Sequence, residues 1–240
     1  MTRMSWIHHR SSEIANMTLQ GNKDAVFSAV YQATEEAHRP QDSVNIIAVT
    51  KYVDSSIAKE LINTGVIHIG ENRVDKFLDK YSALKENTQV VWHLIGSLQR
   101  RKVKDVINFV DYFHALDSIK LAQEIQKRAT KPVKCFLQVN ISKEASKHGF
   151  FLEEIDGVLK ELEKLDKLEM VGLMTMAPFE ASLDEQERIF SKAKEVQREL
   201  ANRQLPHMPF TELSMGMSGD FNQAIAQGAT FVRIGSAFFK

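Results

Sequence analysis

NIIAVTKYV, residues 45–53, is the stretch on which the fold turns. Its first five residues, 45–49, are almost all apolar and read as a strand buried on both faces. The strand runs on into Lys51, and a lysine held at a buried site gives up solvation, so it has a partner or a task. Working outward, seven more short apolar runs follow, at residues 67–71, 90–95, 112–116, 134–141, 169–175, 211–214 and 230–234. The segments between them carry helical spacing. Leu183, Ile189, Phe190, Ala193, Val196 and Leu200 share one face, as do Phe151, Ile155, Val158, Leu159 and Leu162. Eight strands alternating with helices predict an α/β fold, a single (β/α)8 TIM barrel. An extra N-terminal helix is expected over about residues 21–38. The alternative is an open doubly wound sheet, which calls for a Gly-x-Gly-x-x-Gly turn after an early strand, and none is present.

Composition narrows the class. The chain has 240 residues, 43% of them hydrophobic and 26% charged, which suits one domain with one large core. Lysine plus arginine and aspartate plus glutamate number 31 each, so there is no basic excess for nucleic acid beyond the local run Arg100–Lys104. That run reads as a solvated helix start, with an anionic partner as the functional alternative. The one cysteine, Cys135, permits no intrachain disulfide and fits a cytoplasmic location. No apolar stretch is long enough to span a membrane, and the N-terminus lacks the apolar core of a signal peptide. Residues 1–16 read as a poorly ordered extension and 17–240 as the barrel. His8 and His9, adjacent and without further ligands, read as a solvated tail, so no metal site is expected. No heptad seam demands a dimer, and a monomer is expected.

In a barrel, function sits where strands end and the following loops begin. Those ends carry Lys51, Glu71–Asn72, His93 with Gly96, Asp117, Asn140 with Ser142, Met174–Thr175, residues 214–218 and residues 233–236. Several have plain readings: His93 as a hydrogen-bonded core residue, Asp117–Ser118 as a helix cap, Asn140 and Ser142 as turn residues. The last two ends are more pointed. LSMGMSGDFNQAI places Ser214, Gly216, Ser218 and Gly219 in a loop that opens a helix, and VRIGSAFF repeats the pattern with Gly235 and Ser236. Glycine lets backbone approach a ligand, and free N–H groups at a helix start attract an anion. Loops after the seventh and eighth strands are a frequent phosphate site of this barrel. With an amine at Lys51 on the same rim, the ligand suggested is an aldehyde that carries a phosphate. Pyridoxal 5′-phosphate (PLP), as a Schiff base on Lys51, fits; so does a sugar-phosphate aldehyde, as in an aldolase.

Seven blocks, AVTKYV, IGENRVDKF, WHLIGSLQRRKVK, VNISKEASKHGF, GLMTMAP, ELSMGMSGDF and VRIGSAFF, resemble the pyridoxal-phosphate homeostasis proteins of the YggS/PROSC type, from about residue 20 to the C-terminus. The resemblance implies a PLP barrel of fold type III, like the alanine racemase N-terminal domain but standing alone. It implies PLP as cofactor, with Lys51 as the Schiff-base lysine and Asn72 beside the ring hydroxyl. Ser214 and Met215, in LSMGMS, match cofactor-binding positions, Ser214 with Gly235 and Ser236 as phosphate binders. Arg233 matches the arginine that faces the pyridine nitrogen. Arginine cannot accept a proton, so it would leave that nitrogen unprotonated and PLP a weaker electron sink.

Two functions follow from the resemblance. One is a carrier or regulator that holds PLP on Lys51 and delivers it to PLP-requiring apoenzymes without turnover. The other is a PLP-dependent amino-acid racemase. A racemase of this fold needs an acid–base group on each face of the substrate carbon, the second being a tyrosine from an added domain. The chain ends at Phe239–Lys240, one short step past the last strand, which leads us to expect no such domain. Of Tyr31, Tyr52, Tyr81 and Tyr112, Tyr52 lies nearest in sequence to Lys51, but alternation along an extended chain would point it away. The carrier is therefore the expectation, with no catalytic residue assigned.

Overall fold

A computed structural model of the chain describes the backbone of residues 3–145 and 148–240, and the side chains of 18–145 and 148–240. Eight parallel strands form a closed barrel in sequence order: β1 Asn45–Val49, β2 His68–Glu71, β3 Val91–Leu94, β4 Tyr112–Leu116, β5 Val133–Gln138, β6 Leu168–Met174, β7 Glu212–Met217 and β8 Phe231–Ile234. β8 pairs with β1 (Ile46 opposite Val232, Ala48 opposite Ile234), and that closure excludes the open sheet. The helices are α1 Arg3–Glu36, α2 Ser55–Asn63, α3 Val74–Leu84, α4 Val103–Val106, α5 Ile119–Arg128, α6 Ile155–Leu162, α7 Leu183–Asn202 and α8 Phe221–Ala226. No described helix is long and apolar enough to cross a membrane.

The strands read as apolar runs because both faces are covered, the inner by barrel side chains and the outer by helices. Ile47, Ile69, Leu94, Phe113, Leu137, Leu173 and Val232 are fully buried. The starts of α2, α5 and α7 fall where capping side chains stand. Asp54 Oδ1 accepts from the Ile57 amide at 3.1 Å, and Ser118 Oγ and Ser182 Oγ do the same for Leu121 and Glu185. Ser118 thus has the plain role expected of it. Glycine at 172 has a packing cause: a Cβ there would lie 1.9 Å from the Glu212 carbonyl oxygen on the neighbouring strand.

Five expectations need correction. β5 ends at Gln138 rather than 141, and β7 runs on to Met217, so Ser214 and Gly216 belong to a strand, not a loop. The leading helix ends at Glu36, ahead of His38 with its φ of 55°. On the two amphipathic segments, Leu183 and Phe151 are exposed, at 65% and 40%. Leu183 is the first residue of α7 and Phe151 precedes a 3-10 turn, so neither has a preceding helical turn to lie on. The fifth concerns Lys51, which belongs to the site described below. α1 also begins at Arg3, well ahead of residue 21, so residues 3–16, expected as an extension, form the first part of the leading helix; the side chains of residues 1–17, those of His8 and His9 among them, lie outside the described residues.

Candidate functional site

β1 stops at Val49, and Thr50 turns the chain: the Val53 amide donates to Thr50 O at 3.2 Å. Thr50 is fully buried and anchored by a charged pair beneath it. Its Oγ1 donates to Glu71 Oε1 at 2.7 Å; Lys80 Nζ donates to Thr50 O at 3.0 Å and to Glu71 Oε1 at 2.5 Å. Lys51 leaves this anchor outward and is exposed, which corrects the expectation of a buried lysine. Its Nζ lies 5.0 Å from the centre of the Tyr52 ring, and both residues line one cleft. The alternation that would send Tyr52 away belongs to extended chain, and residues 51–52 form a turn.

The opposite wall comes from the last two strands. β7 carries a bulge against β8: Ser214 lies opposite Phe231 but Met217 opposite Arg233. Within it Gly216 has φ +99°, and a Cβ there would meet the Ala224 Cβ at 2.7 Å, so only glycine passes. The bulge carries Met217, Ser218 and Gly219 over the mouth as exposed residues. Ser218 does not cap α8; the cap position is Asp220, whose Oδ1 accepts from the Met217 amide at 2.7 Å. Ser218, Gly219, Gly235 and Ser236 all line the cleft.

Between these walls lies Arg233, only 4% exposed yet lining the same cleft. Its Nη1 donates to Ser214 Oγ at 2.5 Å and its Nη2 to Thr175 O at 3.3 Å. Burial lowers its pKa to about 10, with Asp220 opposing, so it stays charged at neutral pH. Five N–H donors minus two leave others for whatever enters. The cleft encloses about 450 Å³, with Val49, Met176 and Met217 as apolar wall. Gln186 also lines it; its Nε2 donates to Ala181 O at 3.3 Å, and its Oε1 is buried without a partner.

Of the expected site residues, Lys51, Arg233, Gly235 and Ser236 come together at this cleft. Ser214 and Met215 are fully buried on β7 and are not among its lining residues; Ser214 reaches it only through Arg233. Asn72 is half-buried just past β2 and lies beside Gly96, where a Cβ would fall 2.1 Å from the Asn72 carbonyl oxygen. Sequence reasoning missed Tyr52, Gln186 and the loop Met176–Phe179 as cleft residues. The signal for the loop was present at Met174–Thr175, the end of β6. Among the described residues no group of histidine, cysteine, aspartate and glutamate could hold a metal ion.

An amine at the mouth, a buried donor-only guanidinium facing it, two glycine-containing turns and an apolar wall fit a flat aromatic aldehyde that carries a phosphate. The cradle is tight at Gly235, where a Cβ would come within 2.9 Å of the Tyr52 ring.

Known proteins give the same direction. The family model described as "Alanine racemase, N-terminal domain" matches residues 25–240. A pyridoxal phosphate homeostasis protein of Aquifex aeolicus is 38% identical over 220 residues, covering 89% of this chain and 94% of that protein. Its counterpart in Haemophilus influenzae is 34% identical over 227 residues, covering 93% and 95%. Among solved structures, PipY of Synechococcus elongatus with PLP bound has a TM-score of 0.77 at 32% identity, covering 88% of this chain and 98% of that one. Alanine racemase of Corynebacterium glutamicum shares the fold, with a TM-score of 0.67 at 14% identity; 93% of this chain covers 60% of that one.

Proposed function

We propose a function from one premise: the chain belongs to the family of pyridoxal phosphate homeostasis proteins, built on the alanine racemase N-terminal domain. It binds PLP, attached through the Lys51 amine, and takes part in PLP homeostasis as a carrier or regulator without substrate turnover. The observation that carries this reading is the convergence of Lys51, Arg233, Gly235 and Ser236 on one cleft.

PLP supplies an aldehyde that condenses with an amine, releasing water, and a ring that draws electrons from the attached carbon. The chain's own residues act around it. The exposed Lys51 amine is open to an incoming aldehyde and to its release, which suits reversible loading. The backbone at 218–219 and 235–236 would face the phosphate. Arg233, a donor only, would hold a ring nitrogen as acceptor and leave it unprotonated. That restrains carbanion chemistry and supports holding over turnover. Recipients would be PLP-requiring apoenzymes, and the chain would act as a monomer. Tyr52 beside Lys51 is the observation that favours the second reading, an amino-acid racemase, because it restores a candidate acid–base group.

The test is to load the purified protein with PLP, reduce with borohydride and locate the modified peptide by mass spectrometry. Label on Lys51 is expected. A protein that takes up no PLP would sink the reading. Exchange of an amino acid's α-proton with deuterated solvent, at rates above about 1 s⁻¹, would replace the carrier by the racemase. Lys51→Ala is expected to abolish the fixed label while leaving the unfolding free energy, measured in urea, within about 0.5 kcal/mol of the parent, because an exposed turn residue contributes little to the core.

Gly96→Ala is expected to push Asn72 out of place. A contact of 2.1 Å with backbone cannot be relieved by a rotamer change. Overpacking of this kind costs about 1–3 kcal/mol. If Asn72 borders the cofactor, PLP affinity falls as well. Unchanged affinity in a folded Gly96→Ala variant would remove Asn72 from the site.

A further inference from the structure

The interior of a (β/α)8 barrel is ordinarily filled by branched apolar side chains. Here it contains a chain of polar groups. His68 Nδ1 and His93 Nε2 are 2.9 Å apart, His93 Nδ1 and His114 Nε2 are 2.9 Å apart, and His114 Nδ1 is 2.8 Å from Ser214 Oγ, which meets Arg233. The chain crosses from the partly exposed His68, at the N-terminal end of β2, through the fully buried His93 and His114 to the cleft. Aromatic rings pack it: Tyr112 stacks on His93 at 4.8 Å and Phe136 on His114 at 4.3 Å, with Phe231 across the barrel.

The direction of every hydrogen bond follows from its last member. Arginine has no acceptor, so Ser214 Oγ accepts from Arg233. The Ser214 hydroxyl has one proton to give, and its remaining neighbour is His114 Nδ1. Were Nδ1 to carry a proton, that hydroxyl would be buried with nothing to donate to, at a cost comparable to a lost hydrogen bond. His114 therefore carries its proton on Nε2 and donates to His93 Nδ1. By the same step His93 donates from Nε2 to His68 Nδ1. A protonated ring anywhere inside would face donor against donor. Burial holds both inner rings neutral, well below the ordinary histidine pKa, and the Arg233 charge adds to this at His114.

We propose that His93 and His114 are positioning residues for Arg233, holding the Ser214 hydroxyl turned away so that its oxygen anchors the guanidinium at the cleft. The chain stands on its own geometry; only its bearing on PLP rests on the function proposed above.

The first test needs no cofactor. In ¹⁵N-labelled, PLP-free protein near neutral pH, NMR is expected to show His93 and His114 as neutral rings protonated on Nε2. A proton on Nδ1 of His114 overturns the proposal. The second test compares His114→Phe, which keeps an aromatic ring but removes the acceptor, with His114→Asn, whose side-chain oxygen can stand in for Nδ1. Solvent exchange of the Arg233 guanidinium protons in PLP-free protein is expected to rise about tenfold in His114→Phe, the worth of one charge-assisted hydrogen bond, and to stay near the parent value in His114→Asn. A merely structural role predicts equal loss of thermal stability in both variants with exchange unmoved, and that outcome overturns it. If neither variant folds, the tautomers decide. With PLP added, the visible band is expected to shift in His114→Phe and not in His114→Asn. A parent protein that binds no PLP overturns the proposed function and leaves the two cofactor-free readouts to judge the chain.

Discussion

Lys80→Met is expected to lower the folding stability of the chain by about 3–5 kcal/mol, the cost of leaving one member of a buried ion pair behind. Lys80 is 4% exposed and Glu71 not at all. Glu71 Oε1 accepts from Lys80 Nζ and from Thr50 Oγ1, while its Oε2 is buried with no partner. The carboxylate is thus already short of one hydrogen bond, and it depends on the lysine for its only countercharge among the contacts at that oxygen. Methionine keeps the length and volume of the stem, so the loss reports the charge rather than a cavity. Urea unfolding followed by circular dichroism measures it. A loss under about 1 kcal/mol would be that of an exposed salt bridge and would contradict the burial of this pair. The double variant Lys80→Met, Glu71→Gln is expected to recover more than half of the loss, since a neutral amide can still accept from Thr50 and strands no charge. The consequence reaches the site, because Lys80 also holds Thr50 O, directly before Lys51. The single variant should therefore hold PLP more weakly even where it remains folded.

The barrel itself was legible in the chain because parallel strands covered on both faces must be apolar throughout. The runs from Asn45 to Ile234 are mostly apolar and bounded by polar or glycine residues, with His93, His114, Ser214 and Arg233 as the buried polar interruptions. What failed is what depends on backbone geometry at strand ends. Ser214 and Gly216 looked like a loop because serine and glycine are loop formers. The bulge opposite β8 keeps them in the strand and delays the turn until Met217. Tyr52 falls on the side that alternation denies it because β1 ends at Val49, three residues earlier, and residues 51–52 are a turn. Lys51 looked buried by continuity with NIIAV, although Thr50 is where burial ends. The interior histidines are a different case. His93 could be read as a satisfied core residue, and it is one, but its partners His68 and His114 come from neighbouring strands. Only the barrel's register brings these rings into one line, with His93 level with Gly70 on one side and Tyr112 on the other. No local pattern announces that.

Acidification is expected to unfold the chain between about pH 6.5 and 5, well before most carboxylates titrate. In the unfolded chain each histidine titrates near 6.5. In the fold, burial lowers His68 to about 4 and puts His93 and His114 well below the ordinary value. The unfolded state therefore binds protons first, and stability rises with pH wherever that holds. The stability tied to these neutral rings is complete above the unfolded pKa and is lost as pH falls from there toward the folded values. For His68 the loss ends near 4 and amounts to about 3 kcal/mol. With all three rings responding, the slope approaches about 4 kcal/mol per pH unit, a large share of the whole stability of many domains. The groups that face the rings do not offset this: Arg233 opposes protonation of His114, and Tyr112, Phe136 and Phe231 present aromatic surface. The lowered carboxylates, exposed Asp54, Asp75 and Glu153 and half-buried Glu124, titrate below the window. Asp117, raised by burial, acts in the opposite sense, gaining stability as it protonates. Urea midpoints at pH 7, 6 and 5 give the slope directly. A flat profile would mean that the rings are charged or solvated in the folded state, and the one-way chain to Arg233 could not stand. A steep profile made shallower in His68→Phe, by about 1.4 kcal/mol per pH unit, would assign one proton of it to the chain's open end.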